Sequence, residues 1–212
     1  MPLTTILVEL DSSAQAAFDK AVKQYGVAGE WRCVDGFAED VVVTHARYAD
    51  LTVVGQADPD RGSTSLAGDV TLRAGRPVLV VPYTGTLDTL CERPLIAWNA
   101  SREATRALTD ALPLLTRAKE VTVLSINPED TEHLPGAEIS TFLARHGVKA
   151  GARQEVAKGI SDGDRLLSRA AEFGADIIVM GAYGHSRVAE FVFGGTARDL
   201  LQHSSVPLFL SH

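Results

Sequence analysis

The alternation of apolar and polar stretches is clearest in the second half of the chain. Pro94-Leu95-Ile96-Ala97-Trp98 is a short apolar run between polar neighbours, which predicts a buried parallel strand. Ser101 is placed to cap a helix over 102–117, where Ala104, Ala107, Leu108, Ala111 and Leu115 recur at helical spacing. Val121 to Ile126 is a second strand, stopped by Asn127-Pro128-Glu129-Asp130. Gly136 to Arg145 reads as a helix ending before Gly147, and a strand follows over about 150–156. Ser161 or Asp162 opens a helix running through Phe173, with Gly174 as its C-cap. Asp176 to Met180 is a strand, Thr196 to His203 a helix, and Val206 to Leu210 the last strand. Strands alternating with helices in this order predict an α/β fold with a parallel sheet covered on both faces.

The first half repeats part of this pattern. Ala49-Asp50-Leu51-Thr52-Val53-Val54-Gly55 matches Ala175-Asp176-Ile177-Ile178-Val179-Met180-Gly181, and Pro77 to Val81 matches Pro207 to Ser211. Leu7 to Ser13 matches Leu95 to Ser101. The chain therefore reads as an internal duplication. Between Asp11 and Trp31 there is room for one helix, over Ser13 to Tyr25. The first repeat thus lacks one strand-plus-helix unit, corresponding to about Val121 to Gly147 of the second, and its sheet is expected to have four strands. The predicted organisation is two tandem open parallel-sheet domains, 1–84 and 94–212. A linker over 85–93 joins them within the polar, glycine-containing stretch that begins at Tyr83.

The candidate chemistry lies near the C-terminus. The apolar strand ends at Gly181, Gly184 follows three residues on, and Gly194-Gly195-Thr196 comes ten further. Glycine at a strand end lets backbone N–H groups approach a ligand closely. A following helix N-terminus adds unpaired N–H groups and a dipole that favours anions. This reads as a phosphate cradle. The alternative is a tight turn kept for helix packing alone.

Composition narrows the partners. With 20 Lys and Arg against 27 Asp and Glu, the net charge is −7, which argues against nucleic acid or an anionic membrane surface. Phosphate binding must then come from local backbone groups. Cys33 and Cys91 have neither disulfide-framework nor metal-ligand spacing, and His45, His133, His146, His203 and His212 show no metal spacing either. The apolar start is too short to cross a bilayer and reads as a first strand, so a cytoplasmic location is expected.

The second repeat, from about Pro94 to His212, resembles the universal stress protein family, whose sheet is open, Rossmann-like and related to adenine-nucleotide hydrolase folds. The family signature is Gly, two residues, Gly, nine residues, Gly, then Ser or Thr. Gly181, Gly184 and Gly194 fit it, whereas Gly195 stands where the hydroxyl belongs and Thr196 follows one later. The whole chain looks like a tandem member with a degenerate first repeat.

The resemblance implies one adenine nucleotide, ATP, ADP or AMP, in the second domain. Ala97, Trp98 and Asn99 would border adenine and ribose, and Ile126 would wall the base. Met180, Gly181 and Gly184 would start the phosphate loop, with His185 beside it. Gly194, Gly195 and Thr196 would meet the phosphates. Asn99 replaces the family's Asp, and Gly195 its hydroxyl, so binding would be weakened about tenfold or more. Any Mg²⁺ would arrive with the nucleotide, since no protein ligand for it stands out.

In the first repeat Gln56-Ala57-Asp58-Pro59-Asp60 follows Gly55, so no glycine loop is present and carboxylates stand where phosphates would sit. This half is expected to bind no nucleotide. It would instead pair with the second half through Pro77 to Val81 and Pro207 to Leu210. A further homodimer and an unidentified protein partner remain open.

The leading reading is a non-enzymatic stress-response regulator. A ligand-free interaction module is the alternative, in which Asn99 merely caps the helix near Ser101. A slow ATP hydrolase is disfavoured by the lack of a Walker lysine or paired carboxylates.

Overall fold

The computed structural model describes residues 3–7, 12–57, 66–128, 135–182 and 195–212. The first half contains β1 (Leu3–Leu7), α1 (Ser12–Tyr25), β2 (Gly29–Cys33), α2 (Ala38–Ala46), β3 (Thr52–Gly55), α3 (Leu66–Ala74) and β4 (Val78–Val81). The second contains β5 (Pro94–Ala97), α4 (Arg102–Leu115), β6 (Val121–Ile126), α5 (Pro135–Arg145), β7 (Ala150–Glu155), α6 (Asp162–Glu172), β8 (Ile177–Gly181), α7 (Gly195–His203) and β9 (Leu208–Ser211).

Seven strands form one sheet in the order β3-β4-β9-β8-β5-β6-β7. Every neighbouring pair is parallel except β4 with β9, which are antiparallel with Val78 opposite Leu210 and Leu79 opposite Phe209. The join runs between the two segments that the sequence repeat matches, and it makes the sheet continuous across both halves.

Strand alternation sends successive side chains to opposite faces. Ile177 and Val179 of β8 pack with Leu108 of α4 and Leu143 of α5 on one face. Ile178 and Met180 pack on the other with Leu166 of α6 and Leu200 of α7. Val43, Val54 and Val70 of the first half belong to that second cluster, so the halves share a core. Helix α4 shows why the sequence folds this way. Ser101 Oγ accepts the Ala104 N–H at 3.1 Å as the N-cap. The buried stripe Ala104, Ala107, Leu108, Ala111 and Leu115 then keeps the helix low on the sheet.

The segments matched in sequence share one backbone bond. Thr52 N–H bonds the Pro77 carbonyl at 3.1 Å, and Ile178 N–H bonds that of Pro207 at 2.9 Å. The first half has four strands and three helices among its described residues, one strand and one helix fewer than the second. One expectation fails: the four strands do not make a single sheet. Only β3 and β4 join the large one, while β1 and β2 form a separate parallel pair. The physical reason is local satisfaction. Phe18 and Val22 of α1 close over Gly29, and the Phe18 and Trp31 rings meet at 5.5 Å. The unit covers its narrow apolar stripe with its own strand. Among the described residues no helix is long and apolar enough to cross a membrane.

Candidate functional site

The strand order of the second half places a topological switch point between β5 and β8. The chain leaves β5 into α4 on one face and leaves β8 towards α7 on the other. Divergent connections open a crevice beyond the carboxyl ends of those strands, where open α/β sheets take their ligands.

Four of the expected residues line this edge. Ala97 of β5 lies opposite Met180 of β8, and Gly181 follows Met180 opposite Ser211. Ile126 ends β6 on the other side of β5, half-buried against the cluster that holds Met180. Trp98 is buried, its N–H bonded to the Leu124 carbonyl at 2.9 Å, so it lines the core beneath the edge.

Asn99 is exposed, and its Oδ1 accepts the Ser101 N–H at 3.1 Å. The side chain is thus partly engaged in forming the turn that starts α4. Ala100, between them, has φ +58°, the left-handed region that a Cβ makes costly. The strand-to-helix turn is therefore tight, and it holds the first turn of α4 against β8.

Gly181 answers to that tightness. A Cβ on it would lie 2.4 Å from both the Ala104 nitrogen and the Glu103 carbonyl carbon. Beyond it Ala182 is buried, with its N–H on the Ser211 carbonyl at 2.8 Å and its carbonyl accepting from His212 Nδ1 at 3.0 Å. Burial pushes the Glu103 carboxyl up, but its own backbone N–H, Arg102 and His212 outweigh this and hold it below its usual value.

Gly195 and Thr196 begin α7. Gly195 is exposed, and a Cβ added to it would meet no atom of the described residues within 4 Å, so none of them requires glycine there. Helix α7 ends beside the amino end of β9, so it runs antiparallel to the strands and its N-terminus points to the carboxyl edge. Gly184, His185 and Gly194 lie outside the described residues.

Sequence reading misses two residues here. Asn127, with φ +47°, donates from Nδ2 to Asp162 Oδ1 at 2.7 Å and accepts the Ala157 N–H at 2.8 Å, tying the end of β6 to the start of α6. Ser125 Oγ, one residue before Ile126, is buried without a hydrogen-bond partner among the described residues. An Asn-Pro turn hints at the first; nothing in the sequence marks the second. A separate cleft of about 390 Å³ lies at the opposite edge of the sheet, lined by Lys119, Lys149 and Arg153 among others, and holds none of the expected site residues.

Comparison with known proteins agrees with this architecture. A universal stress protein from Archaeoglobus fulgidus DSM 4304 superposes with a TM-score of 0.76 over 99% of this chain and 87% of its own, at 16% identity. A putative universal stress protein from Pseudomonas aeruginosa UCBPP-PA14 gives 0.67 over 99% and 81%, also at 16% identity. At such identity these likenesses show the fold alone. In sequence, a universal stress protein of Synechocystis sp. is 36% identical over 61 residues, a match spanning 28% of this chain and only 21% of that relative. The model of the universal stress protein family matches residues 92–212, more than half of the molecule and the whole of the glycine-bearing repeat, and the chain belongs to that family.

Proposed function

We propose that the second half binds one adenine nucleotide in the crevice between β5 and β8 and that the first half binds none, the chain acting as a nucleotide-responsive regulator in the stress response. The observation that carries this reading is the switch point: Ala97, Ile126, Met180 and Gly181 share one carboxyl edge, with the N-termini of α4 and α7 on opposite faces. Adenine would lie against Ile126 and Ala97. The phosphates would face the backbone N–H groups that begin α7 at Gly195 and Thr196, since backbone donors supply what an acidic chain of net charge −7 does not. Any Mg²⁺ would come with the phosphates.

Among its described residues the first half offers no counterpart. Gly55 is followed by Gln56, whose amide is buried and already bonded, and the shorter repeat has one strand-plus-helix unit fewer to wall a base. A ligand-free module is the second reading, favoured by Gly181 and Asn99, both explained locally by packing and turn formation. Gly195 separates the two, because no packing contact among the described residues accounts for it.

The test is direct. Purified protein is denatured and the supernatant analysed for adenine nucleotide, followed by thermal titration with ATP, ADP and AMP. Ligand at 100 times its Kd stabilises by ~2.7 kcal/mol. Neither released nucleotide nor a shift at millimolar ligand would leave the ligand-free module standing.

A further inference from the structure

Gln56 holds, in the first half, the place that Ala182 holds in the second. The N–H of each bonds the carbonyl at the end of the neighbouring strand, Val81 at 2.7 Å for Gln56 and Ser211 at 2.8 Å for Ala182. In the second half this position is an alanine, with Gly184 two residues on in the sequence. In the first it carries a side chain, 8% exposed, that crosses between the halves.

Its Nε2 donates to the carbonyls of Leu201 at 3.1 Å and Ser204 at 3.2 Å, and its Oε1 accepts the Tyr83 N–H at 3.3 Å. Leu201 lies in the last turn of α7, and Ser204 follows its end. These are carbonyls that a helix terminus leaves without intrahelical partners. Gln56 is therefore a C-terminal clamp on α7 supplied by the other half.

A nine-residue helix is ~13 Å long and moves as a unit. The shared core of Val43, Val54, Val70, Leu200 and Leu201 is apolar and non-directional, so it resists separation better than sliding. Two amide donors fix the axial position that packing leaves loose. We infer that Gln56 is a positioning residue through which the N-terminal half sets the placement of Gly195 and Thr196, and with it the nucleotide affinity of the second half. The inference rests on the nucleotide reading above.

Gln56→Met keeps length and deletes both donors and the acceptor. It is read by calorimetric titration with ATP and by hydrogen exchange of the apo protein. Val43→Ala serves as the control, lowering stability from the same core while removing none of the hydrogen bonds to the end of α7. The expected result is ATP binding weakened about three- to tenfold, the scale of one lost hydrogen bond. Exchange should rise across α7 and stay unchanged in β6, while Val43→Ala keeps the wild-type Kd within about twofold. Wild-type affinity in Gln56→Met, or an equal loss in Val43→Ala, overturns the inference. If the wild type takes up no ATP at millimolar concentration, the nucleotide reading fails by itself, and unchanged exchange in α7 then overturns the positioning role separately. Should Gln56→Met not fold, Gln56→Asn, one methylene short of both carbonyls, is read the same way.

Discussion

Gly181 rests on the backbone of Ala104 so closely that a Cβ at position 181 would stand 2.4 Å from the Ala104 nitrogen. Both partners are backbone, held by the Ser101 cap on one side and the β8–β9 ladder on the other. Gly181→Ala is expected to cost about 1–3 kcal/mol as the helix is pushed off the sheet. Urea unfolding measures it. A variant as stable as the wild type would mean that α4 yields freely.

Gly195 is the opposite case, since a side chain there meets none of the described residues within 4 Å. Gly195→Ser restores a hydroxyl where the family signature has one. It is expected to leave the fold intact and, under the nucleotide proposal, to tighten ATP binding up to about tenfold by one added hydrogen bond. Calorimetry of the two proteins side by side decides it; an unchanged Kd would place the phosphates elsewhere.

Asp176 secures the connection between the halves. Its two carboxylate oxygens accept the backbone N–H groups of Glu92 at 2.8 Å and Arg93 at 2.9 Å. Asp176→Ala orphans both donors and is expected to lower stability by about 1.5–3 kcal/mol, the range for hydrogen bonds to a charged group. A drop in Tm of several degrees in calorimetry is the expected readout.

Cys91 is buried, and burial, with the Asp176 carboxylate nearby, pushes its thiol up to about 12 from the usual 9. In the native protein a disulfide-exchange reagent at pH 8 should modify exposed Cys33 and spare Cys91, and guanidinium should release the second thiol. The linkage sign follows from the raised value. Below pH 9 both states keep the proton and the contribution is constant. Between about 9 and 12 only the unfolded thiol ionises, so stability falls as pH rises. Denaturation profiles of wild type and Cys91→Ala should therefore diverge in that window and run parallel below it.

The second half was largely legible from its sequence because its signals are local. Val121 to Ile126 is a strand at those bounds because an apolar run ends at Asn127-Pro128. Helix α4 starts where Ser101 can cap it. The first half yields less. Ala38–Ala46 is helical although Val41-Val42-Val43 reads equally well as a strand, and tertiary packing of Val43 and Ala46 decides it. The division of β1 and β2 from the large sheet depends on whether α1 covers its own strand or another, which no periodicity records. At the site, the glycine pattern finds Gly181 but not its reason, which is a backbone contact with Ala104. Gln56 was invisible because it acts on partners distant in sequence and nothing local distinguishes it from an ordinary polar residue, while the Asn-Pro turn marked Asn127 as a strand stop but not its bonds to Asp162 and Ala157.

The antiparallel seam of β4 and β9 has one more consequence. Two separate subunits joined edge to edge would dissociate on dilution, each then presenting unpaired N–H and carbonyl groups to any passing strand. Here both strands belong to one chain, and the short connection between β4 and β5 keeps their effective concentration in the millimolar range or above. The seam therefore forms within one molecule, and its strength does not depend on protein concentration.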